Sequence, residues 1–164
     1  GLSMLAGVMI AAKPSGAQQA AAPADDGPKW TANCSLTQGQ AAWACAVNQE
    51  LFSADIGGRV LALSLSPGGD GGGLYMTLIF PSGLLLADGV VVKIGAQQPA
   101  RVPYRAATSG GITAVVSLDA AAVERLRKAK SMTFDVTTSA GQKLSIPVNT
   151  AGLSDLLTRV QAVQ

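Results

Sequence analysis

Residues 30–47 decide the fold of this chain, and they read WTANCSLTQGQAAWACAV. Trp30 and Cys34 lie on one face of an alternating segment, and Trp43 and Cys45 lie on one face of a second one. The polar stretch between the two segments has the composition of a turn. The pattern therefore predicts two adjacent antiparallel strands, which would present both sulfurs and both indoles to the same side of a sheet.

Cys34 and Cys45 are the only cysteines in the chain, and we expect them to form a disulfide. The expectation rests on the export signal described below, because cysteines stay paired in the oxidising compartment to which an exported protein is sent. Closing a loop of this length predicts a stabilisation of about 3 kcal/mol. A redox-active pair is the alternative, but such pairs usually have two residues between the cysteines. Ten residues intervene here, so the bridge is expected to be structural.

The beginning of the chain has the composition of a secretory signal. Residues 2–12 are an apolar run that is followed by Lys, Pro and small residues. The run is too short to span a bilayer, which needs about 20 apolar residues. We expect a signal peptide over residues 1–17 and a location in the periplasm of a Gram-negative envelope; a buried N-terminal helix and a retained membrane anchor are the alternatives. Residues 18–29 predict a flexible spacer, which leaves residues 30–164 as one domain.

The composition favours one well-packed core and excludes several kinds of function. Apolar residues make up 48% of the chain and charged residues 13%, and the net charge of +2 is no footprint for nucleic acid. Histidine is absent, so histidine-dependent triads, dyads and zinc sites cannot be built from this chain alone. We therefore expect a protein that is not an enzyme and that needs no cofactor, metal or small-molecule ligand.

Short apolar segments separated by turn signals predict a mainly β fold. The strand candidates beyond the opening pair are 59–65, 74–80, 90–94, 101–105, 112–118, 132–138 and 143–148. Segment 101–105 carries Pro103, which suits an edge strand. Helices at the crossovers are missing, so a β-sandwich is favoured over a parallel α/β sheet.

Two segments have helical patterns. Residues 119–130 place apolar side chains on one face, with Asp119 as a candidate N-cap. Residues 152–164 predict an amphipathic C-terminal helix that closes the core, with Thr150 as its candidate cap. The expected fold is thus a β-sandwich with one or two short helices.

The glycine-rich loop 67–73 reads PGGDGGG and invites a phosphate-binding interpretation. It lacks the Gly-Lys-Ser/Thr ending that contacts phosphates and Mg²⁺. A flexible hairpin loop between two strands is therefore the prediction.

The end of the first predicted helix carries four cations, Arg125, Arg127, Lys128 and Lys130. Cations at this position complement the helix dipole. They could meet an acidic partner protein or anionic lipid, although four charges without interleaved aromatic residues more often form a solvated face. These four side chains are the candidate partner-binding residues.

Three stretches, in order along the chain, resemble the invasion-associated locus B family of exported proteobacterial proteins. They are WTANC with the following WAC (30–34 and 43–45), FPSGLLLADGV (80–90) and LSIPVNTAGL (144–153). The resemblance implies an immunoglobulin-like β-sandwich and an envelope or periplasmic location. The family name refers to host-cell invasion and specifies no molecular activity.

The chain departs from the family pattern at a second cysteine pair. Many members carry this pair just after a Pro-aromatic dipeptide, whereas Pro103-Tyr104 is followed here by Ala107 and Ile112 at the approximate places. Both cysteines are missing together, which leaves no unpaired thiol but puts in doubt any family function that depends on that loop.

Three functions follow from these features. The first is a non-catalytic periplasmic or envelope module that binds another envelope protein, as a subunit of a larger complex with peripheral membrane association. The second is an invasion or surface-adhesion factor, which the resemblance implies. An enzyme ranks third, because the acids Asp70, Asp88, Asp119 and Asp135 form no recognisable pair in the sequence.

Overall fold

A computed structural model describes residues 29–36, 38–39, 43–68 and 71–162, with the side chain of Trp43 left out. The expected signal peptide over residues 1–17 and all of the expected spacer except Lys29 lie outside these residues. Asp70 lies outside them as well.

Within the described residues, the chain forms ten β-strands and two α-helices. The strands are β1 (Thr31–Leu36), β2 (Trp43–Ser53), β3 (Gly58–Gly68), β4 (Gly73–Phe80), β5 (Val90–Ile94), β6 (Ala100–Val102), β7 (Ala106–Thr108), β8 (Gly111–Leu118), β9 (Ser131–Thr137) and β10 (Lys143–Asn149). The helices are α1 (Ala120–Lys128) and α2 (Leu153–Gln161), and a 3₁₀ turn over Leu86–Asp88 precedes β5.

The strands form two antiparallel sheets. The larger sheet has the order β1-β2-β3-β4-β8-β7, and the smaller one has the order β10-β9-β5-β6. The chain builds β1 to β4 as a meander, crosses to the smaller sheet for β5 and β6, returns for β7 and β8, and ends with α1, β9, β10 and α2. The mainly β sandwich with a C-terminal helix that the sequence predicts is confirmed.

One hydrophobic core joins the two sheets and the helices. In β3, for example, Leu61, Leu63 and Leu65 are buried while the residues between them are half-buried, as the period of two in a strand requires. The smaller sheet contributes Val90, Met132 and Phe134, and the helices contribute Val123, Leu126, Leu153 and Leu157. The expected alternation onto one core face therefore holds in both sheets.

The glycine-rich loop connects two paired strands, as predicted. Gly68 and Gly73 are directly opposed at the ends of β3 and β4. A Cβ atom on Gly73 would lie 2.6 Å from the carbonyl oxygen of Leu118, so a side chain is excluded there by close packing. Gly73 thus allows β4 to begin in close contact with the end of β8.

The prediction of one edge strand over 101–105 is wrong. The structure forms two short strands there, β6 and β7, which belong to different sheets and lie at the edge of each. Pro103 stands between them, where it has no N–H to donate to a ladder. The chain changes sheets at this proline.

The two helices begin differently. The Asp119 carboxylate accepts the N–H of Ala122 at 2.7 Å, which confirms the predicted N-cap of α1. The predicted cap of α2 is wrong, because the Thr150 hydroxyl donates instead to the carbonyl of Ala129. Gly152 takes the N-cap position of α2 with a φ of 82°, which favours glycine.

Candidate functional site

The disulfide predicted between Cys34 and Cys45 is present. The two residues are directly opposed in the β1–β2 ladder, and their Cα atoms are 4.0 Å apart. Cys45 is buried on the core side of β2, whereas Cys34 is exposed on the edge strand. The bridge therefore attaches the edge strand to the core of the larger sheet.

Trp30 makes a second attachment next to the bridge. Its ring packs against the core, and its Nε1–H donates to the carbonyl of Asn149 at 2.9 Å. This bond links the start of β1 to the end of β10 and hence one sheet to the other. The orientation predicted for the Trp43 indole is not tested, because that side chain lies outside the described part of the structure.

The four predicted partner-binding cations do not share one role. Arg127 donates to the carbonyl of Ser154 at 3.1 Å, to Oγ1 of Thr158 at 3.0 Å and to Oε1 of Gln161 at 2.7 Å. It also lies 3.6 Å from the Glu124 carboxylate, so its guanidinium is engaged between α1 and α2.

The other three cations, Arg125, Lys128 and Lys130, are exposed. They remain accessible to an acidic partner, whereas Arg127 is committed to the contact between the helices.

Of the four acids considered for an enzyme, the fold brings two, Asp88 and Asp135, into one pocket. They line this pocket of about 360 Å³ on the smaller sheet together with Arg101 and Lys143. Asp119 is the cap of α1 and lies elsewhere. In the described parts of the chain, no three metal-binding side chains of the His, Cys, Asp and Glu types are grouped so that they could hold an ion.

The Tyr104 hydroxyl has a shifted pKa. Burial raises the pKa of its hydroxyl above 10, and the nearby charge of Asp88 raises it further. The ring packs edge-on against Phe80 with centroids 6.1 Å apart. The hydroxyl oxygen is buried and finds no hydrogen-bond partner within the described residues.

An apolar groove opens between the two sheets at one end of the sandwich. Its volume is about 380 Å³. One side is formed by Phe52 and Ile56, at the end of β2 and in the turn that follows it, and the other by Leu144, Ile146 and Pro147 of β10. We call this feature the β10 groove.

The rim of the β10 groove consists of large apolar side chains that are exposed to solvent. Phe52 and Ile56 are 69% and 57% exposed, whereas Phe80 and Val136 at the bottom are 1% and 4% exposed. None of the residues that line the groove carries a charge. Large exposed apolar side chains beside an uncharged cavity are typical of binding surfaces.

Phe52 and Ile56 were not among the residues predicted from the sequence to bind a partner. The signal was available in part, because both lie in or beside Ala54-Asp55-Ile56-Gly57-Gly58, which has the composition of a turn. Large apolar residues at a turn, where polar residues are expected, suggest a binding surface. Their proximity to β10 could not be read from any local pattern.

An antiparallel β-sandwich with a disulfide-bonded opening hairpin and an open apolar groove is the class of protein that this fold and site define. The model of the invasion associated locus B (IalB) protein family matches residues 30–161. The chain belongs to this family.

Relatives with similar sequences come from Brucella abortus. An "Invasion protein B homolog" of strain 2308 is 30% identical over 135 residues, which cover 82% of this chain and 76% of that protein. A homologue from biovar 1, strain 9-941, matches with the same identity and coverage.

A solved structure shows a similar fold. The crystal structure of invasion associated protein B from Bartonella henselae superposes with a TM-score of 0.72 at 22% identity, covering 82% of this chain and 92% of that one. Among the helices described here, neither is long and apolar enough to cross a membrane.

Proposed function

We propose that this chain is a non-catalytic module of the bacterial periplasm or cell envelope that binds another envelope protein through the β10 groove. The observation that carries the proposal is the exposed rim, Phe52 and Ile56, beside an uncharged cavity. Removing such side chains from water contributes roughly 25 cal/mol per Å² of apolar surface, so a partner that covers them gains binding free energy. Single exposed apolar residues such as Leu36 and Leu86 are ordinary, whereas exposed apolar residues grouped around a cavity mark an interaction site.

The variant that tests this function replaces both rim residues, Phe52→Ser and Ile56→Ser together. Tyr75→Ser is the matched control, because Tyr75 is also a large exposed side chain but lies on β4, outside the groove. Tagged wild type and both variants are purified from cells of the native host after mild cross-linking, and the proteins that accompany them are quantified by mass spectrometry.

The expected result is a protein that accompanies the wild type and the Tyr75 variant and is lost with the groove variant. Equal recovery of every accompanying protein with all three forms would contradict the proposal. Cell fractionation tests the location, and recovery of the protein in the cytoplasmic fraction alone would contradict a periplasmic or envelope role.

A second candidate function is invasion or surface adhesion, which the names of the Brucella and Bartonella relatives favour. The exposed cations Arg125, Lys128 and Lys130 could serve such a contact with an anionic surface. The test is host-cell entry by a deletion strain complemented with wild type or with the three cations replaced by Ser. Undiminished entry of the deletion strain would contradict this function.

A further inference from the structure

We propose that the free edge of β10 receives an extended segment of the partner protein, which adds a strand to the smaller sheet and places its aliphatic side chains in the β10 groove. This inference rests on the proposed function and specifies the kind of partner that the groove fits.

The hydrogen-bonding edge of β10 can be derived from its pairing with β9. The two strands are antiparallel, and β10 is the outermost strand of its sheet. The N–H of Thr138 donates to the carbonyl of Gln142 at 2.8 Å, so residue 142 directs its backbone groups toward the β9 side. Because backbone direction alternates along a strand, residues 144, 146 and 148 also face β9 and residues 143, 145, 147 and 149 face outward.

Two observations agree with this direction. Pro147 has no N–H, and proline within a sheet is confined to positions whose nitrogen faces away from the neighbouring strand. The carbonyl of Asn149 accepts the Trp30 indole N–H at 2.9 Å, which requires that it point away from β9.

The part of the edge that can accept a strand is therefore short. Trp30 occupies the carbonyl of Asn149, and Pro147 offers a carbonyl but no donor. Ser145 offers both an N–H and a C=O, and Lys143 extends the edge by one repeat. An added strand would pair over about four residues, centred on Ser145, which also lines the β10 groove.

Charge determines what this segment can be. The groove lining carries no charge, so a charged side chain inside it would lose its hydration without gaining an ion pair. The segment that fits the groove is therefore uncharged and aliphatic at the alternate positions whose side chains enter it.

A strand is favoured over a helix as the occupant because of the edge. A helix satisfies its own backbone groups and would leave the N–H of Ser145 without a partner in the interface. An extended segment supplies both backbone partners and the alternating side chains that reach the groove.

The test uses a display library of random 12-residue peptides, selected against the immobilised protein. The affinities of the selected peptides are then measured for wild type, Ser145→Pro, the double variant Phe52→Ser and Ile56→Ser, and the control Tyr75→Ser. Ser145→Pro removes one outward N–H at a position equivalent to that of Pro147 in the same strand, and thermal unfolding verifies that it folds. The groove variant changes exposed side chains and tests the same site if the proline variant does not fold.

The expected peptides carry aliphatic residues at alternate positions, and their affinity falls at least tenfold in the proline and groove variants but not in the control. Peptides with helical spacing, no selected peptide, or equal affinity for the proline and groove variants and wild type would overturn the proposal. A concentration-dependent dimer of the protein alone that is lost with Ser145→Pro would also overturn it, because a second copy would then be the occupant. A native partner that depends on the groove but binds Ser145→Pro normally would leave the proposed function intact and remove only this inference.

Discussion

Cys34 and Cys45 hold the first strand to the sheet. Five of the six residues of β1 are exposed, so this strand buries little apolar surface of its own. Its attachment depends on its backbone ladder, on the disulfide and on Trp30. Single residues therefore decide whether the opening hairpin stays in place.

Replacing both cysteines, Cys34→Ala and Cys45→Ala, is expected to lower the free energy of unfolding by about 3 kcal/mol, because the unfolded chain regains the entropy of the open loop. Thermal unfolding should shift by roughly 10 °C. The reduced wild-type protein is the control and should show a similar shift. An unchanged unfolding temperature would contradict a stabilising role for the bridge.

The raised pKa of Tyr104 predicts that the folded state loses stability at high pH. Its folded pKa is raised above the unfolded value of 10, so the folded state retains the proton when the unfolded state has lost it. Its contribution to stability is complete below pH 10 and is lost as the pH rises through the folded pKa. Tyr104→Phe should lose less stability than wild type when the pH is raised above 10, measured by urea unfolding. An equal loss in Tyr104→Phe and wild type would contradict the burial of this hydroxyl, and Tyr75→Phe is the control.

The Arg127 side chain connects the two helices in addition to their packing in the core. Arg127 on α1 makes three hydrogen bonds to α2, and neither helix exceeds nine residues. Helices this short are marginal in isolation and depend on tertiary contacts.

Arg127→Ala is expected to cost about 2 kcal/mol of unfolding free energy, because three acceptors on α2 each lose a charged donor. Lys128→Ala, next to it but exposed, should change stability by less than about 0.5 kcal/mol. Urea unfolding of both variants measures the difference. Equal effects would show that the guanidinium contributes nothing to the contact between the helices.

The β7–β8 ladder has a geometry that could hold the second cysteine pair that this chain lacks. Ala107 and Ile112, which stand at the approximate places of the second cysteine pair that the resemblance implies, are directly opposed cross-strand partners. Directly opposed residues have Cβ atoms close enough for a disulfide.

The double variant Ala107→Cys and Ile112→Cys is expected to oxidise to a second bridge with no titratable thiol in the native protein. The control, Ala107→Cys with Thr113→Cys, places the thiols on opposite faces and should retain two free thiols. Free thiols in both variants after air oxidation would contradict the register of this ladder.

Local patterns predicted the elements more reliably than their partners. The alternation around Cys45, the Asp119 cap and the hairpin between β9 and β10 are set by neighbouring residues and could be read directly. Thr150 failed as a cap because its hydroxyl is taken by Ala129, 21 residues away in sequence. Pro103 was predicted to lie within one edge strand, but it lies between two edge strands, because the chain changes sheets there.

The β10 groove exists only at the scale of the whole molecule. Its two sides come from a turn near residue 56 and a strand near residue 146, and no sequence pattern joins them. The sequence predicted the cations of α1 as the binding residues instead, because a cluster of charges can be recognised in a local stretch of sequence. The exposure of two apolar residues cannot. This surface is the centre of the proposed function.

The most direct test of this function is photo-cross-linking inside native cells. A photoreactive phenylalanine analogue at Ile56 is compared with the same analogue at Tyr75, and the full chain is expressed in its own host. A partner bound at the β10 groove predicts one discrete cross-linked envelope protein from position 56 and none from position 75. No cross-link from position 56, or the same products from both positions, would contradict a partner at the β10 groove.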